Sequence, residues 1–333
     1  MTSAAARVEA IVEIAGPQIP ALLARVEERL AALAAGHGPV LAEHAGATIA
    51  AGGKRLRPLL VLLAAGAGGP GSGADEAQLV AAAAAVELVH SATLVHDDVL
   101  DAATLRRGVP TVWSQAGREL ATATGDLLFS RAFAELTATG SLESVRTLSR
   151  ASSALAQGEL LQREDAWNAA VAVERYLYRC ELKTARLFEA SCELGALASR
   201  REAEDVAALG AFGRRIGVAF QLLDDVLDIA GPATVTGKHR GTDLLDGTVT
   251  LPLILARARD ASLAELDLRS VTTPEEAEAL CDAIGTTGAL EESRDRAHAM
   301  VGEAKAGLEA LELAESQRAA LNLVADAVVA RRA

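Results

Sequence analysis

The sequence predicts an all-α fold, and three observations lead to that prediction. Of its 333 residues, 50% are hydrophobic but only 3% are aromatic. Alanine is abundant, for example throughout residues 81–85, and it favours helices over strands. Apolar residues recur at helical spacing, and we find no segment with the alternating pattern of a half-buried strand. No change in composition marks a linker, so we expect a single domain over residues 1–333.

Proline and glycine residues divide the chain into its predicted helices. The helices are expected over residues 8–14, 19–35, 40–51, from 59 onward, 78–101, 112–136, 142–162, 171–198, 202–227, 253–260, 274–284, 288–313 and 316–332. Two longer loops are expected at residues 66–75 and 231–252. The second is long for a connection inside a compact protein, which favours a functional role.

Charge and cysteine content exclude several classes of protein. The formal net charge is −13, which argues against a general nucleic-acid binder. The three cysteines show neither metal-binding nor disulfide spacing, as is typical of reduced thiols in the cytosol. Residues 1–14 lack the apolar core of a secretory signal, and residues 58–67 are too few to span a bilayer. We therefore expect a cytoplasmic protein without a transmembrane segment.

The five-residue motif Asp-Asp-Val-Leu-Asp occurs twice, at residues 97–101 and 224–228, each time within an apolar helical segment. Aspartate is a poor helix former and is seldom buried without a partner. Positions i and i+4 share one face of a helix, so the first and last aspartate of each motif point the same way. Two such faces turned toward each other would make an oxygen-only site suited to Mg²⁺.

Basic residues stand near these motifs. Lys54 and Arg57 follow two glycines at the start of a helix, where backbone and side chains can bind one anion together. Arg106 and Arg107 follow the first acidic motif, either to balance its charge or to hold a phosphate, and the two roles are compatible. Lys183, beside a threonine in the middle of a helix, would by itself read as a surface residue.

Together these features resemble the trans-prenyl diphosphate synthases, with five motifs in the order of that family. They are GGKRLRP at 52–58, HDDVLDAATLRRGVPT at 96–111, Lys183-Thr184, FQLLDDVLD at 220–228, and Gly237-Lys238 with TDLLDGTVTLP at 242–252. The resemblance covers nearly the whole chain. It implies a single large helical bundle of the isoprenoid synthase type with a central cavity.

The resemblance also implies the reaction. An allylic diphosphate ionises, the allylic cation alkylates the double bond of isopentenyl diphosphate, and a proton is lost. The allylic substrate would be farnesyl or geranylgeranyl diphosphate. Roughly three Mg²⁺ ions would act together with the substrate diphosphate. Family members are usually homodimers, so a homodimer is expected here.

The resemblance assigns the acidic side chains to the metal ions. Direct ligands would be Asp97, Asp101 and Asp224. Residues that orient metal-bound waters or neighbouring cations would be Asp98, Asp225 and Asp228.

The substrate-binding residues follow from the same resemblance. The allylic diphosphate would be held by Arg106, Lys183 and Lys238. Isopentenyl diphosphate would be held by Lys54, Arg57, His90 and Arg107. The oxygens of Thr184 and Gln221 would line the gap in which the cation forms, away from water.

One position departs from the family pattern. The family often has a lysine where this chain has Thr248, and a hydroxyl carries no charge for a phosphate. Another cation, Arg240 or His239, could compensate.

Product length is expected to depend on the helix before the first acidic motif. In the family, a bulky aromatic four or five positions before the first aspartate stops growth early. Thr93 and Ala92 occupy these positions and are small, with Val89 further along the helix. A product of more than about twenty carbons, in the range of roughly thirty to fifty, is therefore expected from an apolar tunnel open at this level. A deeper floor could come from Val86, Phe129 and Phe133.

Three alternatives remain. A geranylgeranyl-type synthase would make a medium-length product. A terpene cyclase would not be expected to keep GGKRLRP, because it binds no isopentenyl diphosphate. A non-catalytic partner subunit would tend to lose its acidic motifs, and both are intact here.

Overall fold

The structure is a computed structural model that describes residues 4–66, 75–106, 108–231 and 240–330, with side chains from residue 9 onward. The described residues are almost entirely helical. Their only strands form a two-stranded antiparallel hairpin, β1 (Leu105–Arg106) and β2 (Val109–Pro110). The all-α prediction is confirmed, and the hairpin was too short to be recognised in the sequence.

The α-helices of the described residues are α1 (Ala4–Ala15), α2 (Gln18–Ala34), α3 (Pro39–Ala50), α4 (Leu56–Ala64), α5 (Glu76–Leu100), α6 (Val112–Ala138), α7 (Leu142–Asp165), α8 (Val173–Cys180), α9 (Arg186–Ala198), α10 (Ala203–Ala230), α11 (Thr242–Leu245), α12 (Leu251–Arg259), α13 (Ala261–Glu265), α14 (Pro274–Gly285), α15 (Ala289–Leu308) and α16 (Glu315–Val329). A π-helix spans Glu181–Ala185, and a 3₁₀ turn spans Leu268–Ser270.

The chain divides into two compact units. The first comprises residues 1–152, 187–213 and 310–323, and the second comprises residues 153–186, 214–309 and 324–333. The chain enters each unit more than once, so the division does not separate an N-terminal from a C-terminal domain. The single domain over residues 1–333 stays a prediction.

Helix α5 is the centre of the first unit, where it packs against α2, α4 and α6. Its alanine-rich part, residues 82–85, is almost fully buried, and small side chains let neighbouring helices approach closely. The ring of His96 lies over Gly125 of α6, where an added Cβ would stand 2.2 Å from the His96 Nε2 atom. The glycine therefore sets the spacing of the two helices near the first acidic motif.

The ends of α5 are fixed locally. The Asp75 side chain accepts hydrogen bonds from the backbone N–H groups of Ala77 and Gln78, as an N-cap does. At the other end, the Asp101 N–H donates to the Asp97 carbonyl at 2.8 Å. The last aspartate of the motif thus keeps helical geometry, which preserves its i, i+4 relation to Asp97.

By length and composition alone, α5 and α10 could each cross a membrane. However, 78% of the apolar window of α5 and 56% of that of α10 are buried inside the protein, as in core helices. Both helices also carry an acidic motif. This finding is weak evidence for a membrane span.

In the second unit, α12 packs against α8, α13, α14 and α15. Helix α14 begins with a capping box, in which Thr273 and Glu276 satisfy each other's backbone N–H groups. The predicted loop at residues 231–252 contains the short helix α11. Its first part, residues 232–239, and most of the loop predicted at 66–75 lie outside the described residues.

The helix predicted over residues 171–198 is not continuous. It consists of α8, the π-helix and α9, with helical dihedral angles at the junction residues Cys180 and Arg186. A π-helix of this kind is a single turn inside a longer helix, so the hydrophobic periodicity of the sequence does not reveal it. Lys183 and Thr184 lie inside this π-helix.

Candidate active site

The first acidic motif lies at the C-terminal end of α5, in the first unit. Asp97 is half-buried and Asp101 is exposed, whereas Asp98 is buried. The Asp98 carboxylate accepts a hydrogen bond from Arg106 Nε at 2.6 Å. Because Arg106 belongs to β1, the hairpin holds a cation next to the motif. Charge balance is therefore one role of Arg106, and Arg107 lies outside the described residues.

Arg55 holds the basic loop of the first unit in place, a role that was not predicted from the sequence. Its backbone has a left-handed φ of 46°, which is costly for a residue other than glycine. Its guanidinium bonds Glu27 at 2.5 Å, Glu87 at 2.8 Å and the Ile49 carbonyl at 2.9 Å. Burial would lower the pKa of Arg55, but the two glutamates outweigh burial and raise it.

The predicted ligands of isopentenyl diphosphate are also in this unit. Lys54 is exposed beside Arg55, and Arg57 is half-buried with its guanidinium carbon 4.8 Å from the centre of the Phe188 ring. This cation–π contact orients the Arg57 guanidinium. His90 is half-buried on α5, two helical turns before Asp97 and on the same face.

The proposed chain-length residues lie along α5. Ala92 and Val89 have no exposed surface, and Thr93 is half-buried with its hydroxyl donating to the His90 carbonyl at 2.8 Å. Phe129 of α6 stacks on His96, with ring centres 5.8 Å apart. The structure thus places Val89, Ala92 and Thr93 on one mostly buried stretch of α5, and their role in product length stays a prediction.

The second acidic motif lies in α10, in the second unit. Asp224 is exposed, Asp228 is half-buried and Asp225 is buried. A carboxylate oxygen of Asp228 accepts a hydrogen bond from the backbone N–H of Asp243 at 3.2 Å. This bond ties the motif to the start of α11.

Asp225 is part of a hydrogen-bonded chain of four side chains. The Tyr176 hydroxyl donates to Asp225 Oδ2 at 2.6 Å, and Gln221 Nε2 donates to Asp225 Oδ1 at 2.8 Å. The Thr184 hydroxyl donates to Gln221 Oε1 at 2.6 Å. Thr184 and Gln221, both predicted to line the cation site, are thus in direct contact.

Burial is the main influence on the pKa values of Asp225 and Tyr176. Burial, with repulsion from Asp243 and Asp224, raises the pKa of Asp225 to about 7 despite its hydrogen bonds from Tyr176 and Gln221. Burial and the negative charge of Asp225 raise the pKa of Tyr176 well above its ordinary value. The Tyr176 hydroxyl therefore keeps its proton and acts as a donor.

Lys183 is held by an acidic partner on α7. Its Nζ atom lies 2.5 Å from Glu159 Oε2, and Glu159 also accepts from Arg163 Nε at 2.9 Å. Burial alone would raise the pKa of Glu159, but Lys183 and Arg163 lower it below its ordinary value. Gly158 makes the approach possible, because an added Cβ would stand 2.5 Å from the Lys183 backbone nitrogen.

The segment around Thr248 is fixed by contacts that the sequence did not suggest. The Trp167 ring covers Gly247, where an added Cβ would stand 2.2 Å from a ring carbon. The backbone N–H of Trp167 also donates to the Gly247 carbonyl at 2.8 Å. Arg179 bonds both the Val249 carbonyl and the buried Asp165. The backbone beside Thr248 is therefore held on two sides.

Of the two predicted substitutes for the missing lysine, Arg240 is engaged in other contacts, and His239 stays a prediction. Arg240 Nε donates to the Ile229 carbonyl at 2.9 Å, and its NH2 group lies 2.9 Å from Asp282 Oδ1. Arg240 would have to break both contacts in order to bind a phosphate. His239 and Lys238 lie outside the described residues.

In each acidic motif, two carboxylates are accessible to bind Mg²⁺. Each motif offers its first and last carboxylate at the surface of a helix, while Asp98 and Asp225 are buried and bonded to protein partners. Among the described residues, no group of three or more His, Cys, Asp or Glu side chains could hold a metal ion. Mg²⁺ commonly uses one or two carboxylates and completes its shell with water and substrate phosphates.

Several residues that shape the site were missed by the sequence analysis. They are Arg55, Glu159, Asp165, Trp167, Tyr176 and Arg179. Most of their partners lie more than one helix away in sequence, so no local pattern could reveal them. Tyr176 was the residue most open to prediction, because the chain contains only two tyrosines.

The sequence matches the polyprenyl synthetase family over residues 39–284. It is 40% identical over 273 residues to heptaprenyl diphosphate synthase component 2 of Geobacillus stearothermophilus, covering 81% of this chain and 84% of the relative. It is 37% identical over 269 residues to geranylgeranyl diphosphate synthase of Methanosarcina mazei, covering 78% and 81%. The crystal structure of polyprenyl synthase from Caulobacter crescentus CB15, complexed with calcium and isoprenyl diphosphate, aligns with a TM-score of 0.89 at 36% identity over 98% of both chains.

An all-α fold with two acidic motifs, together with these similarities, defines a prenyltransferase. The chain belongs to the polyprenyl synthetase family. The predicted family and class of reaction are thereby confirmed. A divalent metal ion is part of the chemistry of this family.

Proposed function

We propose that the protein elongates an allylic diphosphate, farnesyl or geranylgeranyl diphosphate, with isopentenyl diphosphate to a long all-trans product. Mg²⁺ would be the divalent ion, in roughly three copies with the substrate diphosphate. The observation that carries this proposal is the pairing of two intact acidic motifs with basic and neutral polar groups at the family's positions. The similarity to a heptaprenyl diphosphate synthase component supports it.

Asp97, Asp101, Asp224 and Asp228 would hold the metal ions, whose charge would stabilise the departing diphosphate. Asp98 and Asp225 would serve differently, because each is buried and bonded to protein side chains. Asp98 would orient Arg106 toward the diphosphate. Asp225 would orient Gln221.

The cations of the chain would bind the diphosphates. Lys183 and Arg106, with Arg107 and Lys238, share this task. Glu159 holds the Lys183 ammonium at 2.5 Å, which limits the conformations that the long side chain must give up on binding. Lys54, Arg57 and His90 would bind isopentenyl diphosphate, with Arg55 fixing the loop that carries the first two.

The neutral oxygens of Thr184 and Gln221 would face the developing allylic cation. Their hydrogen bond of 2.6 Å holds them together before the substrate arrives. Such preorganised dipoles stabilise charge without reorganising during the reaction. The released diphosphate would take the proton, so no side chain is required as the base.

Product length would be set on the face of α5 before Asp97. Ala92 and Val89 are buried, and Thr93 is half-buried, so no bulky side chain of α5 occupies these positions. We infer a product of more than about twenty carbons in an apolar tunnel.

The proposal is tested by diphosphate release from the purified protein with farnesyl diphosphate, isopentenyl diphosphate and Mg²⁺. Release should require both substrates and should stop when a chelator removes the metal. Release without isopentenyl diphosphate would instead indicate a cyclase. No release by the protein alone, with release after a partner protein is added, would indicate a subunit of a heteromeric synthase.

We also infer a cytoplasmic homodimer. The family resemblance supports the dimer, and the composition supports the location. Multi-angle light scattering of the purified protein should give twice the 34.3 kDa mass of the chain. The mass of a monomer would contradict the dimer.

A further inference from the structure

Tyr176 stands at one end of the hydrogen-bonded chain that runs through Asp225 and Gln221 to Thr184. Its side chain has no exposed surface, and it lies on α8, seven residues before Lys183. The chain joins α8, α10 and the π-helix within the second unit. No role in the reaction has so far been given to this tyrosine.

The chain fixes which end of the Gln221 amide faces Thr184. A side-chain amide offers N–H groups at one end and an oxygen at the other, and it can be turned by half a rotation. Asp225 Oδ1 accepts from the N–H end of the Gln221 amide at 2.8 Å. The oxygen end is thereby turned toward the Thr184 hydroxyl.

Tyr176 completes this control. Without its hydroxyl, Asp225 Oδ2 would be buried without the donor that it has at 2.6 Å. A buried carboxylate oxygen that loses its donor is destabilised, so Asp225 would shift its position. A displaced Asp225 would no longer dictate the orientation of Gln221.

We propose that Tyr176 is a positioning residue for ionisation of the allylic diphosphate. By bonding Asp225, it keeps the amide oxygen of Gln221 beside the Thr184 hydroxyl, where both oxygens stabilise the developing cation. This inference rests on the proposed function, which puts Thr184 and Gln221 at the cation. Tyr176 itself does not touch the substrate.

The test compares Tyr176→Phe with the matched control Tyr178→Phe, on the same helix but exposed. For Tyr176→Phe we expect a fall in kcat of about tenfold, with KM for both diphosphates within about twofold. Tyr178→Phe should keep the activity of the unmodified protein. Equal kcat values for the two variants would overturn the inference.

A second readout isolates ionisation from condensation. Isopentenyl diphosphate is replaced by 3-methylbutyl diphosphate, a saturated analogue without a double bond to alkylate. The allylic carbon–oxygen bond then breaks, the diphosphate leaves with the electron pair, and water adds to the cation and loses a proton. Formation of the allylic alcohol should fall by the same factor as kcat. An unchanged rate with a lower melting temperature would show a purely structural role.

Binding gives a readout that does not depend on turnover. Calorimetry with a thiodiphosphate analogue of the allylic substrate and Mg²⁺ should give affinities within about twofold for both proteins, since Tyr176 acts on Gln221 alone. A weaker complex, or a higher Mg²⁺ requirement, would assign Tyr176 to metal or diphosphate binding and overturn the inference.

Should Tyr176→Phe not fold, Asp225→Asn tests the same chain. An asparagine offers both a donor and an acceptor, so Gln221 is no longer held in one orientation. We expect the same loss of kcat at an unchanged Mg²⁺ half-saturation, and a shifted half-saturation would contradict the inference. If the unmodified protein itself shows no elongation, the proposed function fails instead.

Discussion

At the scale of single residues, several charged groups of the site are held by other protein side chains. Lys183 is paired with Glu159, Arg106 with Asp98, and Arg55 with two glutamates. The acidic and basic residues at the family's positions were predictable from the sequence, because short motifs carry them. Their partners were not, because Glu159 and Tyr176 meet the motifs only through the fold.

Variants of Lys183 and Glu159 test the effects on catalysis and on stability separately. Lys183→Met should lower kcat/KM by at least about a hundredfold, because it removes a charged donor to the diphosphate. It should also lower the free energy of unfolding by about 1–3 kcal/mol, because the half-buried Glu159 keeps only Arg163 as a cationic partner. Adding Glu159→Gln should restore the stability but not the activity.

Steady-state kinetics and urea denaturation measure the two effects. Lys305→Met is the matched control, since Lys305 pairs with Asp326 at 2.8 Å on α15 and α16. Full activity in the Lys183→Met protein would remove Lys183 from the site.

Asp98 offers a test of its role toward Arg106. Asp98→Asn should raise KM for the allylic diphosphate by about tenfold, because the guanidinium loses its charged partner. The Mg²⁺ concentration for half-maximal rate should change less. Asp205→Asn, which weakens another aspartate–arginine pair at 3.0 Å, should leave both quantities unchanged. A dominant change in the Mg²⁺ requirement would instead identify Asp98 as a metal ligand.

Ala92 tests the tunnel. Ala92→Phe puts an aromatic ring on the buried face of α5 and should shorten the product. Chromatography of the dephosphorylated product measures the length, with the exposed Ala306→Phe as the control. Unchanged product length in the Ala92→Phe protein would refute the assignment of the tunnel to this face.

At the scale of elements, the π-helix is the feature that the sequence could not show. It spans only residues 181–185, about one turn with i→i+5 bonds, which is too short for its different period to stand out in the sequence. By contrast, the ends of α5 were predicted to within a few residues, since Asp75 is a strong N-cap and the aspartates mark the other end. A helix cap can be predicted from the local sequence, whereas a π-helix depends on tertiary contacts.

Gly158 is the contact that positions the π-helix against α7. Gly158→Ala should push α7 away from the Lys183 backbone, lowering kcat by about tenfold and the free energy of unfolding by about 1–3 kcal/mol. Gly302→Ala is the control, because nothing lies within 4 Å of its added Cβ. That change should be neutral or stabilising by up to about 1 kcal/mol. Equal kinetics in both variants would show that the close approach of α7 does not matter for the reaction.

At the scale of the whole molecule, composition predicted the all-α fold and the motifs predicted the family. The division into two compact units was not predicted, because the chain enters each unit more than once and no linker marks the change. Each unit carries one acidic motif, whose buried middle aspartate is bonded to Arg106 in the first unit and to Tyr176 and Gln221 in the second. The duplicated sequence motif therefore serves two different local arrangements.

The most direct test of the central claim is the length of the product. The purified protein is incubated with radiolabelled isopentenyl diphosphate, farnesyl diphosphate and Mg²⁺, and the dephosphorylated product is separated by reversed-phase chromatography. With small residues before Asp97, we expect a product of more than about twenty carbons. A product that stops at or below about twenty carbons, or no incorporation of label, would contradict the account.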